Sequence, residues 1–422
     1  MTAPTCGRPS CPGTHGPVYQ PGRDCRACYV RRFRDRLPPP PGPVGVPLGR
    51  APVERPPCIH EGEIVARCTS CGPKEGRHRR RCEMHGVCTR VAQMDMPHEG
   101  CDECEHYAPA RPAPLGVRFV DQTLLKPRPA GWGFNGSMIR HRGRLLLAYR
   151  VGQAGSQTWL AELDERLRPV GNRRLNLDHP AATHGREDPR LFEFRGRLHL
   201  MYHGVAGASG PVNVLYARLG DDFQPERVYH PQLPERGPVE KSHSYFEGLD
   251  GELYAVYSVG PIHRVLQIDG ERVVGRWDQP YRLPWNGGHM RGGAPPVLLP
   301  GGERFGHWFH GRIDVNAAGQ RTRGALYTAG YYEFESRPPF RPVRGTPSFL
   351  ACGNPSELRH WQRETEFPAV VWPAGAILEA GSWRVSCGWQ EEEVHVAEWA
   401  AAALDASLVE VETDRRVLPC SS

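Results

Sequence analysis

Five segments of the chain share one pattern, a short turn containing glycine followed by an apolar run with β character. The turn glycines are Gly143, Gly196, Gly251, Gly302 and Gly381. A repeat of about fifty residues with hairpin chemistry in each copy is typical of a β-propeller. We interpret the longer last interval as a loop insertion rather than a sixth blade. We therefore predict an all-β, five-bladed propeller over residues 115–411, with a tail at 412–422.

An inner strand is predicted before each hairpin, with polar residues or glycine near its beginning and apolar residues near its end. The predicted strands are Phe134–Ile139, Glu187–Glu193, Lys241–Phe246, Arg291–Val297 and Glu366–Val371. Because inner strands line the central channel of a propeller, we expect the polar beginnings to converge at the channel mouth.

The expected ring combines carboxylates, an amide and cations, which suits a polyhydroxylated ligand. Its members are Asn135, Glu187, Asp188, Lys241, His243, Arg291 and Glu366. The alternative is a channel filled by salt bridges and water, although buried polar groups are costly without a partner.

Composition agrees with a turn-rich β protein. The hydrophobic content is 39%, with 48 glycines and 43 prolines. The chain has no apolar run long enough to predict a membrane span. The N-terminal residues have no apolar core of the kind a secretory signal requires, which predicts a cytoplasmic protein. The net charge is +6, and the basic excess lies in residues 1–50, so charge gives no support for nucleic-acid binding by the propeller.

Cysteine pairs at metal-binding spacing occupy the region before the predicted propeller. A first group lies within residues 1–36 and a second within 58–110, with a Pro-rich linker at 37–57 between them. Paired C-x₂-C segments hold two thiolates at the spacing of tetrahedral zinc. About three structural zinc ions are therefore predicted. The predicted ligands are Cys6, Cys11, Cys25, Cys28, Cys58, Cys68, Cys71, Cys82, His85, Cys88, Cys101 and Cys104.

Other interpretations of the cysteine groups remain open. His60 is an alternative to His85 as the eighth ligand of the second group. Disulfides are disfavoured by a reducing cytosol, and the spacings match neither usual ferredoxin run of an iron–sulfur protein. A further expectation is that the N-terminal module binds a protein partner.

The segment Gly185-Arg-Glu-Asp-Pro-Arg-Leu191 resembles a motif of glycoside hydrolase family 130, the β-mannoside phosphorylases and hydrolases. Further segments resemble the same family in the same order along residues 115–411. They include Asn135-Gly-Ser, Glu240-Lys-Ser-His-Ser-Tyr-Phe246, Gly292-Gly-Ala-Pro-Pro-Val297 and Cys387-Gly-Trp-Gln-Glu391. The resemblance implies a five-bladed propeller that acts with inversion at the anomeric carbon of an oligosaccharide or glycoside.

The resemblance also implies roles for individual residues. Asp188 would be the proton donor, acting through a sugar hydroxyl. Inorganic phosphate would be a co-substrate, held by Arg150, Lys241 and His310, with Arg291 as a further candidate. A hydrolase would need a second carboxylate, for which the candidates are Glu366 and Glu391. The remaining candidate binding residues are Asn135, Glu187, Arg190, His203 and His243.

Two segments depart from the family pattern. Lys241-Ser-His-Ser and Gly388-Trp-Gln-Glu391 differ from the residues usual at these places, which leaves phosphorolysis, hydrolysis and glycosyl transfer open. A non-catalytic propeller that binds a carbohydrate or a protein is the alternative outside enzymes. Asp188 could also be a turn residue before Pro189, since Asp-Pro is a common turn pair.

Overall fold

The computed structural model describes part of the chain. The described residues are 112, 114–121, 125, 133–152, 155–207, 210–233, 239–316, 323–352, 370–389 and 393–413. The predicted cysteine-rich modules and the linker between them lie outside these residues.

The described strands form five antiparallel sheets, which are the blades of a propeller. The first three blades contain four consecutive strands each. They are blade 1 with β2 (Gly133–His141), β3 (Arg144–Val151), β4 (Gln157–Leu163) and β5 (Pro169–Arg174); blade 2 with β6 (Gly185–Phe194), β7 (Arg197–Val205), β8 (Val212–Leu219) and β9 (Pro225–Tyr229); and blade 3 with β10 (Ser244–Glu247), β11 (Leu253–Ser258), β12 (Ile262–Asp269) and β13 (Arg272–Arg282).

Blades 4 and 5 are less regular, because one has extra short strands and the other takes a strand from the beginning of the propeller. They are blade 4 with β14 (His289–Arg291), β15 (Val297–Leu298), β16 (Arg304–Asn316), β17 (Arg323–Glu335), β18 (Pro342–Gly345) and β19 (Ala351–Cys352); and blade 5 with β20 (Val371–Glu379), β21 (Ser382–Trp389), β22 (Glu393–Ala400) and β1 (Gly116–Phe119). A 3₁₀ helix spans Pro180–Ala182 and the helix α1 spans Ala401–Ala406.

The hydrophobic core lies between successive blades. One apolar cluster joins each pair of neighbours, and representative pairs are Leu146 with Leu215, Met201 with Leu266, Phe246 with Phe334, Trp308 with Trp399, and Leu147 with Val396. The last of these clusters joins blade 5 to blade 1. The ring is therefore closed, and the prediction of an all-β, five-bladed propeller is confirmed.

The predicted turn glycines lie between the first and second strands of blades 1, 2, 3 and 5, and in blade 4 Gly302 lies between β15 and β16. In blades 1, 2 and 5 the turn has two residues, Arg142-Gly143, Arg195-Gly196 and Ala380-Gly381, all with positive φ. Two left-handed residues form the type I′ turn, whose twist matches that of the flanking strands. The apolar and glycine pattern therefore identified real hairpins.

The inner strands contain bulges where they enter the channel. The register shifts between Phe134 and Ser137 in β2, and between Glu187 and Arg190 in β6. A third bulge in β20 lies between Pro373 and Gly375. Most of the predicted fifth inner strand, Glu366–Val371, lies outside the described residues, and the described inner strand of blade 5, β20, begins at Val371. A bulge accommodates proline within a strand, so Pro373 does not end this one.

Blade 5 is completed by the beginning of the propeller. β1 pairs antiparallel with β22, and Arg118 forms an ion pair with Glu398 across that pairing. At the other end, β23 (Val409–Glu410) pairs with β18 and β24 (Glu412–Thr413) with β13. Both ends of the propeller chain are thus held by sheet pairing. Among the described helices, none has the length and apolar character needed to cross a membrane.

Candidate active site

Asp188 lies at the beginning of the inner strand of blade 2, in the β6 bulge. Its backbone is left-handed, with a φ of 51°, and Asn135 in the equivalent bulge of blade 1 has the same φ. A non-glycine residue in this conformation costs roughly 1–2 kcal/mol. Backbone strain of this kind is concentrated at functional sites, and here it directs two polar side chains towards each other.

Four side chains surround the Asp188 carboxylate. Asn135 Nδ2 donates a hydrogen bond of 2.8 Å to Oδ1, and Arg150 Nη1 lies 3.4 Å from the same oxygen. His203 Nδ1 lies 3.5 Å from Oδ2, and Lys241 Nζ lies 3.9 Å from it. These residues come from blades 1, 2 and 3, so Asp188 is the point at which three blades meet.

The charge on Asp188 follows from these neighbours. Burial raises the pKa of the carboxyl group, but the facing His203 imidazole and the charges of Lys241 and Arg150 outweigh it. The net effect holds the pKa of Asp188 well below its usual value. Asp188 is therefore ionised at neutral pH in the ligand-free protein, and it must gain a proton before it can donate one.

Glu187 bridges the two cations of the site. Arg150 Nη2 donates to Oε1 at 2.8 Å, and Lys241 Nζ donates to Oε2 at 2.9 Å. Burial alone would lower the pKa of Lys241, but the carboxylates of Asp188 and Glu187 raise it above its usual value. Lys241 is thus a permanent cation. It lies three residues before β10, so the predicted inner strand Lys241–Phe246 began too early.

His203 faces Asp188 as a neutral imidazole. Burial lowers its pKa to about 4, and the nearby Asp188 carboxylate offsets only part of this effect. The backbone N–H of Ser242 donates to Nε2 at 3.2 Å. Since Nε2 accepts, the proton of the neutral ring is on Nδ1, the nitrogen that faces Asp188. His203 therefore supports the carboxylate, and its ring nitrogens are directed at protein atoms.

Arg190 is a fully buried guanidinium that joins the inner strands of blades 2, 3 and 4. It donates from Nη1 to the carbonyl of His243, and its Nη2 lies 3.4 Å from the carbonyl of Gly292. The Trp372 ring lies 4.8 Å from its Cζ atom. Burial lowers the pKa of Arg190 to about 9, so the group stays charged at neutral pH. It supplies positive charge near Asp188 and holds neighbouring blades together.

His310 and Arg291 face each other in the pairing of β14 with β16. His310 is buried beside Trp372, with their ring centroids 6.2 Å apart. Burial, together with the charges of Arg190 and Arg291, holds the pKa of His310 well below its usual value. His310 is thus neutral at pH 7 and can contribute a hydrogen bond to an anion but no charge. Arg291 is half-buried at the beginning of its blade.

The His243 imidazole does not join the Asp188 group. Its Nε2 lies 3.2 Å from Glu240 Oε2, both side chains are buried, and its ring packs 4.6 Å from that of Tyr257. Burial lowers the pKa of His243 despite the Glu240 carboxylate. Sequence reasoning missed Glu240 and Trp372 as members of the site region. The spacing of Glu240 and His243, three residues apart, was the available signal.

Some predicted residues cannot be placed. Glu366, Glu391 and all the predicted cysteine and histidine metal ligands lie outside the described residues. Within the described ranges, no group of three or more His, Cys, Asp or Glu side chains is arranged to hold a metal ion. Of the predicted residues that are described, six lie in direct contact around Asp188, and three lie nearby. The six are Asn135, Arg150, Glu187, Asp188, His203 and Lys241, and the three are Arg190, Arg291 and His310.

The fold and site define a five-bladed propeller in which a buried carboxylate, Asp188, lies among charged and polar side chains from three blades. No protein-family profile matches the sequence, and no curated protein matches it. Solved structures do match the fold. A candidate glycoside hydrolase from Parabacteroides distasonis has a TM-score of 0.51 and 15% identity, over 68% of this chain and 96% of that chain.

Two further structures are similar at lower scores. A β-1,2-mannobiose phosphorylase from Listeria innocua, in complex with β-1,2-mannobiose, has a TM-score of 0.49 and 15% identity over 69% of this chain and 99% of that chain. A mannose phosphorylase from Leishmania mexicana, in complex with phosphate, has a TM-score of 0.47 and 12% identity over 68% and 88%. At 15% identity, the similarity to the Parabacteroides distasonis structure concerns the fold alone.

Proposed function

We propose that the protein is an inverting carbohydrate-active enzyme that cleaves or forms β-mannoside-type glycosidic bonds, with phosphate as the nucleophile. The observation that carries this proposal is the buried Asp188 carboxylate, held by Asn135 and His203 and flanked by Arg150 and Lys241. The sugar class rests on the sequence resemblance, while the site chemistry rests on the geometry.

The proposed reaction balances with the groups present. A phosphate oxygen forms a bond to the anomeric carbon as the bond from that carbon to the leaving sugar oxygen breaks. A proton from Asp188 reaches the leaving oxygen through a sugar hydroxyl. Arg150 and Lys241 hold the phosphate, because an arginine fork and a lysine ammonium both suit an oxyanion. Phosphate is itself the nucleophile, so this route needs no second carboxylate as a base.

The ionised state of Asp188 fits this scheme only if ligands change its surroundings. Lys241 and Arg150 lower the pKa of Asp188 in the ligand-free protein. An anion that binds these two cations weakens their effect on Asp188 and raises its pKa. Asp188 would then become protonated in the complex with phosphate, where a proton donor is needed.

The test is turnover of β-linked manno-oligosaccharides by the full-length protein with and without inorganic phosphate. We expect a sugar 1-phosphate of inverted, α configuration, formed only with phosphate present. Asp188→Asn should abolish turnover, while Asp178→Asn, an exposed aspartate, should not. If Asp188→Asn retains full turnover, Asp188 is not the proton donor.

Other outcomes identify the alternative functions. Release of free sugar without phosphate indicates a hydrolase, and turnover only with an activated sugar donor indicates a glycosyltransferase. Binding of the oligosaccharide without turnover, unchanged by Asp188→Asn, indicates a non-catalytic binding protein.

We also propose that the cysteine-rich modules bind structural zinc. Support comes from the C-x₂-C spacings in residues 1–36 and 58–110, since this spacing places two thiolates on one metal ion.

A further inference from the structure

The Glu187 carboxylate occupies the position between Arg150 and Lys241. Each of its oxygens accepts from a different cation, at 2.8 Å from Arg150 Nη2 and 2.9 Å from Lys241 Nζ. A bound phosphate would contact these side chains in the same way, with one oxygen accepting from the arginine and another from the lysine. Glu187 thus has the geometry of a bound oxyanion.

Arg150, Lys241, Glu187 and Asp188 balance one another in charge without a ligand, and the nearby Arg190 guanidinium is directed at backbone carbonyls. Arg150 and Lys241 together carry two positive charges, and both lie close to the two negative charges of Glu187 and Asp188. An anion added to this arrangement meets two carboxylates and no unpaired cation within it. The anion can bind strongly only if one of the two carboxylates moves away from Arg150 and Lys241.

Glu187 is the carboxylate that can do so. Asp188 is held by Asn135 and by a left-handed backbone. Among the described residues, by contrast, the Glu187 side chain has polar contacts only with Arg150 and Lys241. A rotation of the Glu187 side chain therefore breaks these two contacts and leaves the Asp188 hydrogen bond in place.

We propose that Glu187 is a built-in substitute for the anionic reactant, which holds Arg150 and Lys241 in place until phosphate displaces it. This inference rests on the proposed function for the identity of the anion. It makes Glu187 a residue that weakens phosphate binding while it preorganises the two cations. A residue that binds phosphate or the sugar would have the opposite effect when removed.

The experiment measures the binding of inorganic phosphate to the full-length protein by calorimetry. Glu187→Gln keeps the shape of the side chain but removes its charge, and we expect it to bind phosphate about tenfold more tightly than the wild type. Glu193→Gln is the matched control, because Glu193 lies in the same strand and its partner is His141. This control should bind phosphate with the wild-type affinity.

Equal or weaker phosphate binding by Glu187→Gln overturns the inference, as does the absence of phosphate binding by both proteins. If Glu187→Gln does not fold, Glu187→Asp provides the test, because the shorter side chain cannot span both cations and should also tighten binding. Turnover separates this inference from the proposed function. If the wild type catalyses phosphorolysis but Glu187→Gln does not bind phosphate more tightly, the role of Glu187 is ruled out and the proposed function stands. If Glu187→Gln binds phosphate more tightly but the wild type catalyses no phosphorolysis, the proposed function is ruled out and the role of Glu187 stands.

Discussion

Asn135 Nδ2 donates a hydrogen bond of 2.8 Å to Asp188 Oδ1, and both residues have a φ of 51° in equivalent bulges of adjacent blades. The contact therefore depends on two strained backbone positions as well as on two side chains. Asparagine and aspartate tolerate the left-handed conformation better than most residues. The same residue types thus satisfy the backbone and the chemistry at once.

Replacement of Asn135 by glycine tests the amide without changing the backbone requirement. Glycine adopts positive φ at no steric cost, so Asn135→Gly removes only the hydrogen bond to Asp188. A hydrogen bond to a charged group contributes about 1.5–3 kcal/mol, and we expect turnover of an active glycoside to fall by about tenfold or more.

The pH dependence separates this effect from a loss of structure. The Asn135 hydrogen bond favours the ionised form of Asp188, so Asn135→Gly should raise the pKa of Asp188. The limb of the pH–rate profile that reports Asp188 should therefore move to higher pH. A lower rate with an unchanged limb would contradict this assignment of the amide.

Gly388 controls the same contact from blade 5. A Cβ atom at Gly388 would lie 2.0 Å from Asn135 Oδ1, which is far too close. Gly388→Ala should displace the Asn135 amide and reduce turnover about as much as Asn135→Gly. Gly171→Ala is the control, because a Cβ atom at Gly171 meets nothing within 4 Å. Wild-type turnover by Gly388→Ala would show that Asn135 can move without loss of function.

The sequence allowed the blades to be predicted because their signal is local. A turn such as Arg142-Gly143 and the apolar run after it lie within a few residues of each other. The closing strand β1 gives no comparable signal, since Gly116–Phe119 has only four residues and its partner β22 is at the other end of the propeller. Long-range pairing of so short a strand cannot be inferred from a repeat.

The sequence allowed those site residues to be predicted whose role depends on their position along an inner strand. Asp188, Asn135 and Lys241 follow from the polar beginnings of the inner strands. The pairing of His243 with Glu240, however, depends on which way the imidazole points. The neutrality of His310 depends on its burial and on Arg190. The three-residue spacing of Glu240 and His243 permits their contact but does not specify it, and no spacing along the chain gives the burial that keeps His310 neutral.

Buried histidines should make the folded propeller less stable at acid pH. Burial lowers the pKa of His199 and of His203 to about 4, and that of His263 to about 3. The unfolded chain binds protons at these residues near pH 6.5, whereas the folded protein does not. Stability should therefore be greatest above pH 6.5 and decrease as the pH falls towards 4.

Thermal unfolding between pH 7.5 and pH 4 measures this effect. Each unit by which a pKa is lowered corresponds to about 1.4 kcal/mol per histidine, so the expected loss amounts to several kcal/mol. His263→Gln should make the decrease with pH less steep, and His289→Gln, at an exposed position, should not. A melting temperature that does not change from pH 7.5 to 4 would rule out this explanation.

The zinc content of the full-length protein tests the interpretation of the cysteine pairs. The spacings predict about three zinc ions per chain, and elemental analysis of protein purified without added metal should find them. The double substitution Cys68→Ser and Cys71→Ser should remove about one ion, because each closed site requires four ligands. Cys387→Ser is the control, since Cys387 is a buried free thiol in β21 of the propeller. Its zinc content should equal that of the wild type. Protein that contains iron, or cysteines that resist alkylation until they are reduced, would instead indicate an iron–sulfur cluster or disulfides.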